Sequence, residues 1–376
     1  MSATSGESAA APLLRGEVIY FYAFDFAYDM QRTPLRSLLG CPLEPFQVDA
    51  RKRVPRGQVF YRPLMARLPV MELRVRGEVV RLEVAVKVLP VGALSVTVRM
   101  PVKAQSLEGC AAWHDLKFDD GRTLEQWVLA MVEKARTELS VHSIRPHERL
   151  PEAESYAVFC LDAASPGIGG VASVWLERNR TAVAGLLTRE ADAGLLSEQE
   201  IAESTSRWLS YYRHDLVVAD WDAALVIDRP EDFAETLYVL ELANVQLEEL
   251  EAYDACIDEA LERAYRDLSA RGRDRRRHVL REVKELRIDL ARFSDELSNI
   301  TKFLGEWHLA RVYETAARLF HLGDWHRAID EKLRTLDSLY DMLKQDQNQR
   351  VMVWLEAAIV LLFIIDLVLI FTGPGK

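Results

Sequence analysis

Residues Val351 to Phe371 read VMVWLEAAIVLLFIIDLVLIF, 21 residues interrupted only by Glu356 and Asp366. As a helix the stretch is about 31 Å long, close to the ~30 Å hydrocarbon core of a bilayer. The pattern predicts a single transmembrane anchor, with residues 372–376 as a short tail beyond it. Lys344 and Arg350 stand on its N-terminal side, so the bulk of the chain is expected in the cytoplasm, or in the matrix of an organelle. So little chain follows that insertion is expected after translation, as for tail-anchored proteins. Glu356 and Asp366 project about 80° apart around the helix. A charge near the bilayer centre costs several kcal/mol. The two acids are therefore a candidate self-associating face; the plainer reading puts each near an interface.

Upstream, residues 231–350 carry no proline and are dominated by Glu, Leu, Arg and Ala. Val279, Val283, Leu286, Leu290, Phe293, Leu297, Ile300 and Leu304 step by fours and threes, the seam of a coiled coil or long bundle helix. An earlier helix from about Phe233 to Leu268 carries Leu237, Leu240, Leu247, Leu250, Ile257 and Leu261, with Asn244 in its seam. A third seam runs through Ile329, Leu333, Leu336, Tyr340 and Leu343. Arg271-Gly272 and Gly323-Asp324 separate the three, Gly suiting a left-handed helix end and Asp an N-cap. Arg271, Arg273, Arg275, Arg276, Arg277 and Arg281 form the densest basic patch. It reads as a solvated turn or as a surface for anionic lipid, at about 1 kcal/mol per basic residue, or for RNA, with lipid or an acidic partner favoured because the membrane is already close.

Residues 1–14 read as a disordered lead-in without the basic start and apolar run of a secretory signal. Residues 15–230 read as an α+β domain. Gly16–Phe26, Met71–Val75, Val79–Leu89, Leu94–Met100 and Ser155–Asp162 are strand-like, and Asp215–Asp228 holds two further strand-like runs. Leu124–Leu139 and Ser197–Tyr211 are helix-like, the latter opened by a Ser197-x-x-Glu200 capping box. The predicted fold class is thus an α+β N-terminal domain, then long heptad-patterned helices, then one transmembrane helix. The net charge of -11 argues against general nucleic-acid binding, which needs a basic face. Cys41, Cys110, Cys160 and Cys256 are too scattered for a zinc site or disulfide framework and read as free thiols.

Motifs that could carry chemistry have simpler explanations. Pro166-Gly167-Ile168-Gly169-Gly170 lacks the Lys-Ser/Thr of a phosphate loop and reads as a turn. Asp220 and Asp222 would share one face of a strand and could bind a cation, with a solvated edge favoured. His321, Asp324 and His326 could hold a metal, but a capping acid between two exposed histidines accounts for them. No cofactor or metal site is therefore expected.

The C-terminal third resembles the "required for meiotic nuclear division" or YagE family. The resemblance lies in the acidic-aliphatic strands of Asp215–Asp228, the long helices after them, and Arg350 and Leu355-Glu356 at the terminal helix, with Asp366 ten positions on. Ala357 stands where that family has tryptophan. The resemblance implies a membrane-anchored, oligomeric protein without known catalysis, linked in eukaryotic relatives to mitochondrial translation. The expected function is that of a tail-anchored scaffold or recruiting protein rather than an enzyme. Its expected partners are membrane lipid, copies of itself through the helices, and an unidentified protein. The alternatives are an enzyme in the N-terminal domain and a CorA-like cation transporter, which would need a second membrane helix and a Gly-Met-Asn loop.

Overall fold

The computed structural model describes residues 14–31, 35–47, 62–147, 150, 152–269, 288 and 307–372. The chain divides into two compact units, one of Met1–Ala252 with Ser294–Trp325 and one of Tyr253–Phe293 with His326–Lys376.

The first unit is organised by one mixed sheet of eleven strands. Its centre is β1 (Leu14–Asp25), whose run VIYFYAF buries side chains on both faces, as a strand covered on both sides must. β1 pairs antiparallel with β8 (Ala93–Ala104) and with β10 (Glu154–Asp162). Beyond β10 lie β13 (Ala223–Asp228), parallel to it, then β12 (Leu216–Ala219) and β11 (Trp208–Leu209). Beyond β8 lies β7 (Glu78–Val88), whose outer edge is shared by β6 (Met71–Val75) and β5 (Leu64–Arg67). β4 (Cys41–Pro45) and β3 (Ser37–Leu38) complete that side, and β2 (Ala27–Met30) pairs separately with β9 (Ser143–Pro146).

Turn chemistry fixes the registers. Arg76 and Gly77, both at positive φ, form the two-residue loop joining β6 to β7. Gly92 at φ +90 turns β7 into β8, and a side chain there would drive a Cβ to 1.8 Å from the carbonyl oxygen of Ala27.

Period-two alternation along β1 separates two environments. Val18, Tyr20, Tyr22 and Phe24 join a hydrophobic core with α1 (Leu107–Ala111), α2 (Leu124–Leu139) and α3 (Ala172–Leu187). The Thr123/Gln126 capping box predicted by neither charge nor composition starts α2, with Thr123 Oγ1 accepting from the Gln126 amide at 3.2 Å and Gln126 Oε1 from the Thr123 amide at 3.2 Å. The opposite face receives the first half of α5 (Phe233–Ser269), after the short α4 (Glu198–Ser204). There Lys87 forms a buried ion pair with Glu241, which also accepts from Ser95 Oγ at 2.6 Å. One turn of α5 later, Asn244 Nδ2 donates to the Glu154 carbonyl at 3.1 Å. Glu248 accepts from the backbone amides of Asp25 at 3.0 Å and Glu154 at 3.2 Å. Burial and the neighbouring Asp25 and Glu251 push the Glu248 carboxyl up to about 8; burial, Glu251 and Asp222 push Glu154 up to about 7. α6 (Trp307–Leu319) adds Tyr313, whose hydroxyl donates to Gln246 Oε1 at 2.6 Å.

The second unit contains the remainder of α5 and nearly all of α7 (Leu322–Thr372). Lys332 Nζ lies 2.7 Å from a carboxylate oxygen of both Asp254 and Asp258, and Ile257, Ile329, Leu333 and Leu336 are buried.

Several expectations are corrected. The fold class is not an α+β domain followed by a coiled coil and a membrane helix, but a large mixed sheet covered by helices. Asp215–Asp228 does supply the two expected strands, β12 and β13, but the parallel pairing of β13 with β10 was not expected, because local alternation carries no sign of strand order. Ser197–Tyr211 is helical only over Glu198–Ser204 before β11 begins. No long coiled coil is evident among the described residues: α5 is buried at every position from Val239 to Leu250, enveloped by its unit where a two-helix seam would leave an outer face exposed. The predicted seam Val279–Leu304 and the basic patch Arg271–Arg281 lie outside the described residues, as does residue range 1–13 of the lead-in.

Among the described residues no helix is long and apolar enough to cross a membrane. The Val351–Phe371 stretch is the last part of α7, continuous with turns that bury Leu333, Leu336 and Leu339. Its longest run between the two acids, Ala357–Ile365, is nine residues, about 14 Å of helix against a hydrocarbon core of about 30 Å. The transmembrane, tail-anchored reading and the single-pass localisation drawn from it are withdrawn.

Candidate functional site

Beside the centre of the sheet, on the α1–α3 face, lies a polar cleft of about 140 Å³. Strand alternation aims Tyr20 and Tyr22 of β1 toward it. The Tyr20 hydroxyl donates to the carbonyl of Trp113 and so holds the link between α1 and α2 against the sheet. That link carries His114 and Asp115. His114 Nε2 is 2.5 Å from the carbonyl oxygen of Leu186, near the end of α3. A carbonyl can only accept, so Nε2 carries the proton and Nδ1 is left as an acceptor. The ring stands edge-on to Phe159 at 4.7 Å. Burial first, then the Arg189 charge, lowers the His114 pKa, which leaves the imidazole neutral near pH 7.

Arg189 reaches the cleft because the chain turns sharply after α3: its own φ is +58, and the Glu190 amide donates back to the Gly185 carbonyl at 3.0 Å. Arg189 Nη2 is 2.6 Å from Asp115 Oδ1, a single end-on contact at the cleft's mouth. The start of α2 contributes Thr123 and Glu125, and Lys117 lines the same wall. Asp222 also lines the cleft, from the turn between β12 and β13. Burial, followed by the Glu125 charge, raises the Tyr22 pKa, so its phenol stays protonated at neutral pH. The cleft thus offers a neutral imidazole, a phenol, two cations and three carboxylates. It can bind a small polar molecule and hold a proton beside it.

The residues singled out in the sequence fall elsewhere, with one exception. Asp220 and Asp222 stand in a tight turn rather than on a strand face; Asp220 Oδ1 accepts from the Trp221 amide at 2.9 Å, and only Asp222 reaches the cleft. Pro166–Ile168 forms a single helical turn whose Gly167 carbonyl accepts from Trp175 Nε1 at 2.7 Å, so it presents an acceptor where a phosphate would need donors. At the predicted break before α7 the left-handed residue is His321, φ +50, not Gly323. Asp324 lies inside the first turn and pairs with His321 Nδ1 at 3.1 Å. Among the described residues no group of three His, Cys, Asp or Glu side chains is placed to hold a metal ion. Glu356 is exposed on α7, on which Asp366 also lies.

The second unit has a different feature. From Met352 to Val368 the described apolar side chains of α7 are exposed, Trp354 to 78% and Phe363 to 73%. Among the described residues none of the large apolar side chains from Met352 to Leu367 is buried.

The family model described as "Uncharacterized protein MJ0711, N-terminal domain" matches residues 15–234, more than half of the chain, and the chain belongs to that family. It is similar to the "Uncharacterized protein MJ0711" of Methanocaldococcus jannaschii, with 24% identity over 217 residues, 57% of this chain and 65% of that relative's length. No solved structure matches. These matches replace the resemblance to the meiotic nuclear division or YagE family, which had rested on Asp215–Asp228, inside the matched residues, and on the helices after it, almost all outside them.

Proposed function

We propose that the protein is an assembling and recruiting protein: the second unit joins copies of the chain, and the sheet unit presents a binding surface. One observation carries this reading, the exposed apolar length of α7 from Met352 to Val368. Each large aliphatic or aromatic side chain gains about 1.5–3 kcal/mol on leaving water. More than ten such side chains are exposed there, so the stretch is strongly driven toward cover. A helix apolar on all sides needs more than one neighbour. Copies of itself in a closed symmetric bundle supply identical apolar surfaces, each bringing its own Glu356 to the same level.

The test is the mass of the full chain by sedimentation, beside a chain ending at Gln349. The expected result is an oligomer for the full chain and a monomer for the shortened one. A full chain that is monomeric, or a shortened chain that keeps the same oligomer, overturns the reading. So does a monomer that floats with lipid vesicles, since lipid is then what covers the helix.

A further inference from the structure

The cleft beside β1 is assigned no ligand by the family match, and its chemistry does not depend on how the helices assemble. We infer that it binds a free α-amino acid of small side chain, with the ligand's carboxylate at Arg189 and its ammonium among the cleft's carboxylates. Three observations support the assignment. The first is unused capacity. The Arg189–Asp115 pair is made through one nitrogen and one oxygen, which leaves the rest of the guanidinium fork and the second Asp115 oxygen for a ligand. The His114 ring is fixed through Nε2, which leaves Nδ1 as an acceptor.

The second is the arrangement of charge. Arg189 and Lys117 stand against Asp115, Glu125 and Asp222. A purely anionic ligand would meet the three carboxylates, and a purely cationic one the two bases. A zwitterion satisfies both.

The third is size. At about 140 Å³ the cleft is comparable with a cavity that accepts one benzene-sized molecule, and well below the ~300 Å³ at which drug-sized pockets begin. Alanine or serine fits this volume; a nucleotide does not. Tyr20 and Tyr22 give the floor an aromatic surface over which an ammonium is held favourably.

The experiment is calorimetric titration of the full chain with L-alanine and L-serine, each compared with its N-acetyl and its carboxamide derivative. The expected result is saturable binding with Kd below about 1 mM, weakened at least about tenfold when either charged end is masked, one power of ten being ~1.4 kcal/mol. Asp222→Asn should weaken the free amino acid about tenfold while leaving its carboxamide comparatively more affected than its N-acetyl form. Arg189→Lys keeps a cation for Asp115 but loses the planar fork, and should weaken the free amino acid without lowering the Tm of the unliganded chain. Absence of binding by both amino acids, or equal binding of the masked and unmasked forms, overturns the assignment.

Discussion

Both faces of the central sheet are buried, Val18 and Phe24 on one as Ile19, Phe21 and Ala23 on the other, but only the second adds a layer of buried polar side chains from a helix. On the α1–α3 side, Val18, Phe24, Val98, Phe159 and Leu225 build a core of carbon. On the α5 side, Glu241, Asn244, Gln246 and Glu248 are all buried; Glu241, Asn244 and Glu248 reach strands through hydrogen bonds and one ion pair, and Gln246 accepts from Tyr313 of α6. Apolar packing depends on volume and is indifferent to small errors of angle. Buried carboxylates are satisfied in one geometry only and cost several kcal/mol when left unpaired. The first face therefore supplies cohesion, and the second sets where along the sheet α5 lies.

The largest break in this contrast should come from Phe24→Ala. It leaves a cavity in the carbon face and should cost about 3–5 kcal/mol in urea unfolding. Glu241→Ala should cost about 3 kcal/mol because it leaves the Lys87 ammonium buried without its carboxylate. Lys87→Met together with Glu241→Met should recover most of that loss; a double variant as unstable as the single one would show that the pair itself is needed.

Proton linkage sharpens the comparison further. Glu248 and Glu154 have folded pKa values of about 8 and about 7, raised from the ordinary 4.5. A raised carboxyl binds its proton more tightly in the folded chain, so its contribution is complete below pH 4.5 and is lost as pH rises through 7 and 8. His147, raised chiefly by its contact with Asp25 at 3.4 Å, acts in the same sense. Glu248→Gln should flatten the fall of Tm between pH 4.5 and 8, whereas Phe24→Ala should shift the whole curve without changing its slope. The smallest effect expected is about 1 kcal/mol for Thr123→Ala, which removes the α2 cap and should be independent of pH.

Much of the sheet was legible because its strands announce themselves locally. Met71–Val75 and Leu124–Leu139 begin and end where alternation and helical spacing put them, and β1, β7 and β10 differ from expectation by one or two residues at their ends. Helix α3 was not anticipated: Asn179 departs from helical geometry inside it and Gly185 sits near its end, so its apolar period is broken where a sequence reader would look for it. The parallel pairing of β10 with β13 depends on that helix and was equally hidden. The leucines of α5 keep a seam, which reads as part of a long helical or coiled-coil region, and the local pattern says nothing of where its glutamates go. Their partners, Lys87 and the amides of Asp25 and Glu154, lie about 90–220 residues away in sequence, beyond any local pattern. The cleft was missed for the same reason. His114, Asp115 and Arg189 stand in links between helices, where a sequence shows only polar loop residues.

The position of β1 also has a consequence on the ribosome. Its apolar run from Val18 to Phe24 is synthesised before both of its neighbours in the sheet, β8, ending at Ala104, and β10, ending at Asp162. At roughly 5–20 residues per second, the strand waits about 4–16 seconds for its first neighbour and up to about half a minute for its second. During that interval the most aromatic strand of the sheet is a bare edge, the kind of segment that pairs with whatever strand comes near. Synthesis of this chain therefore has a window in which a holding chaperone governs yield, and slowing translation between residues 25 and 104 should lengthen that window and increase aggregation without altering the finished fold.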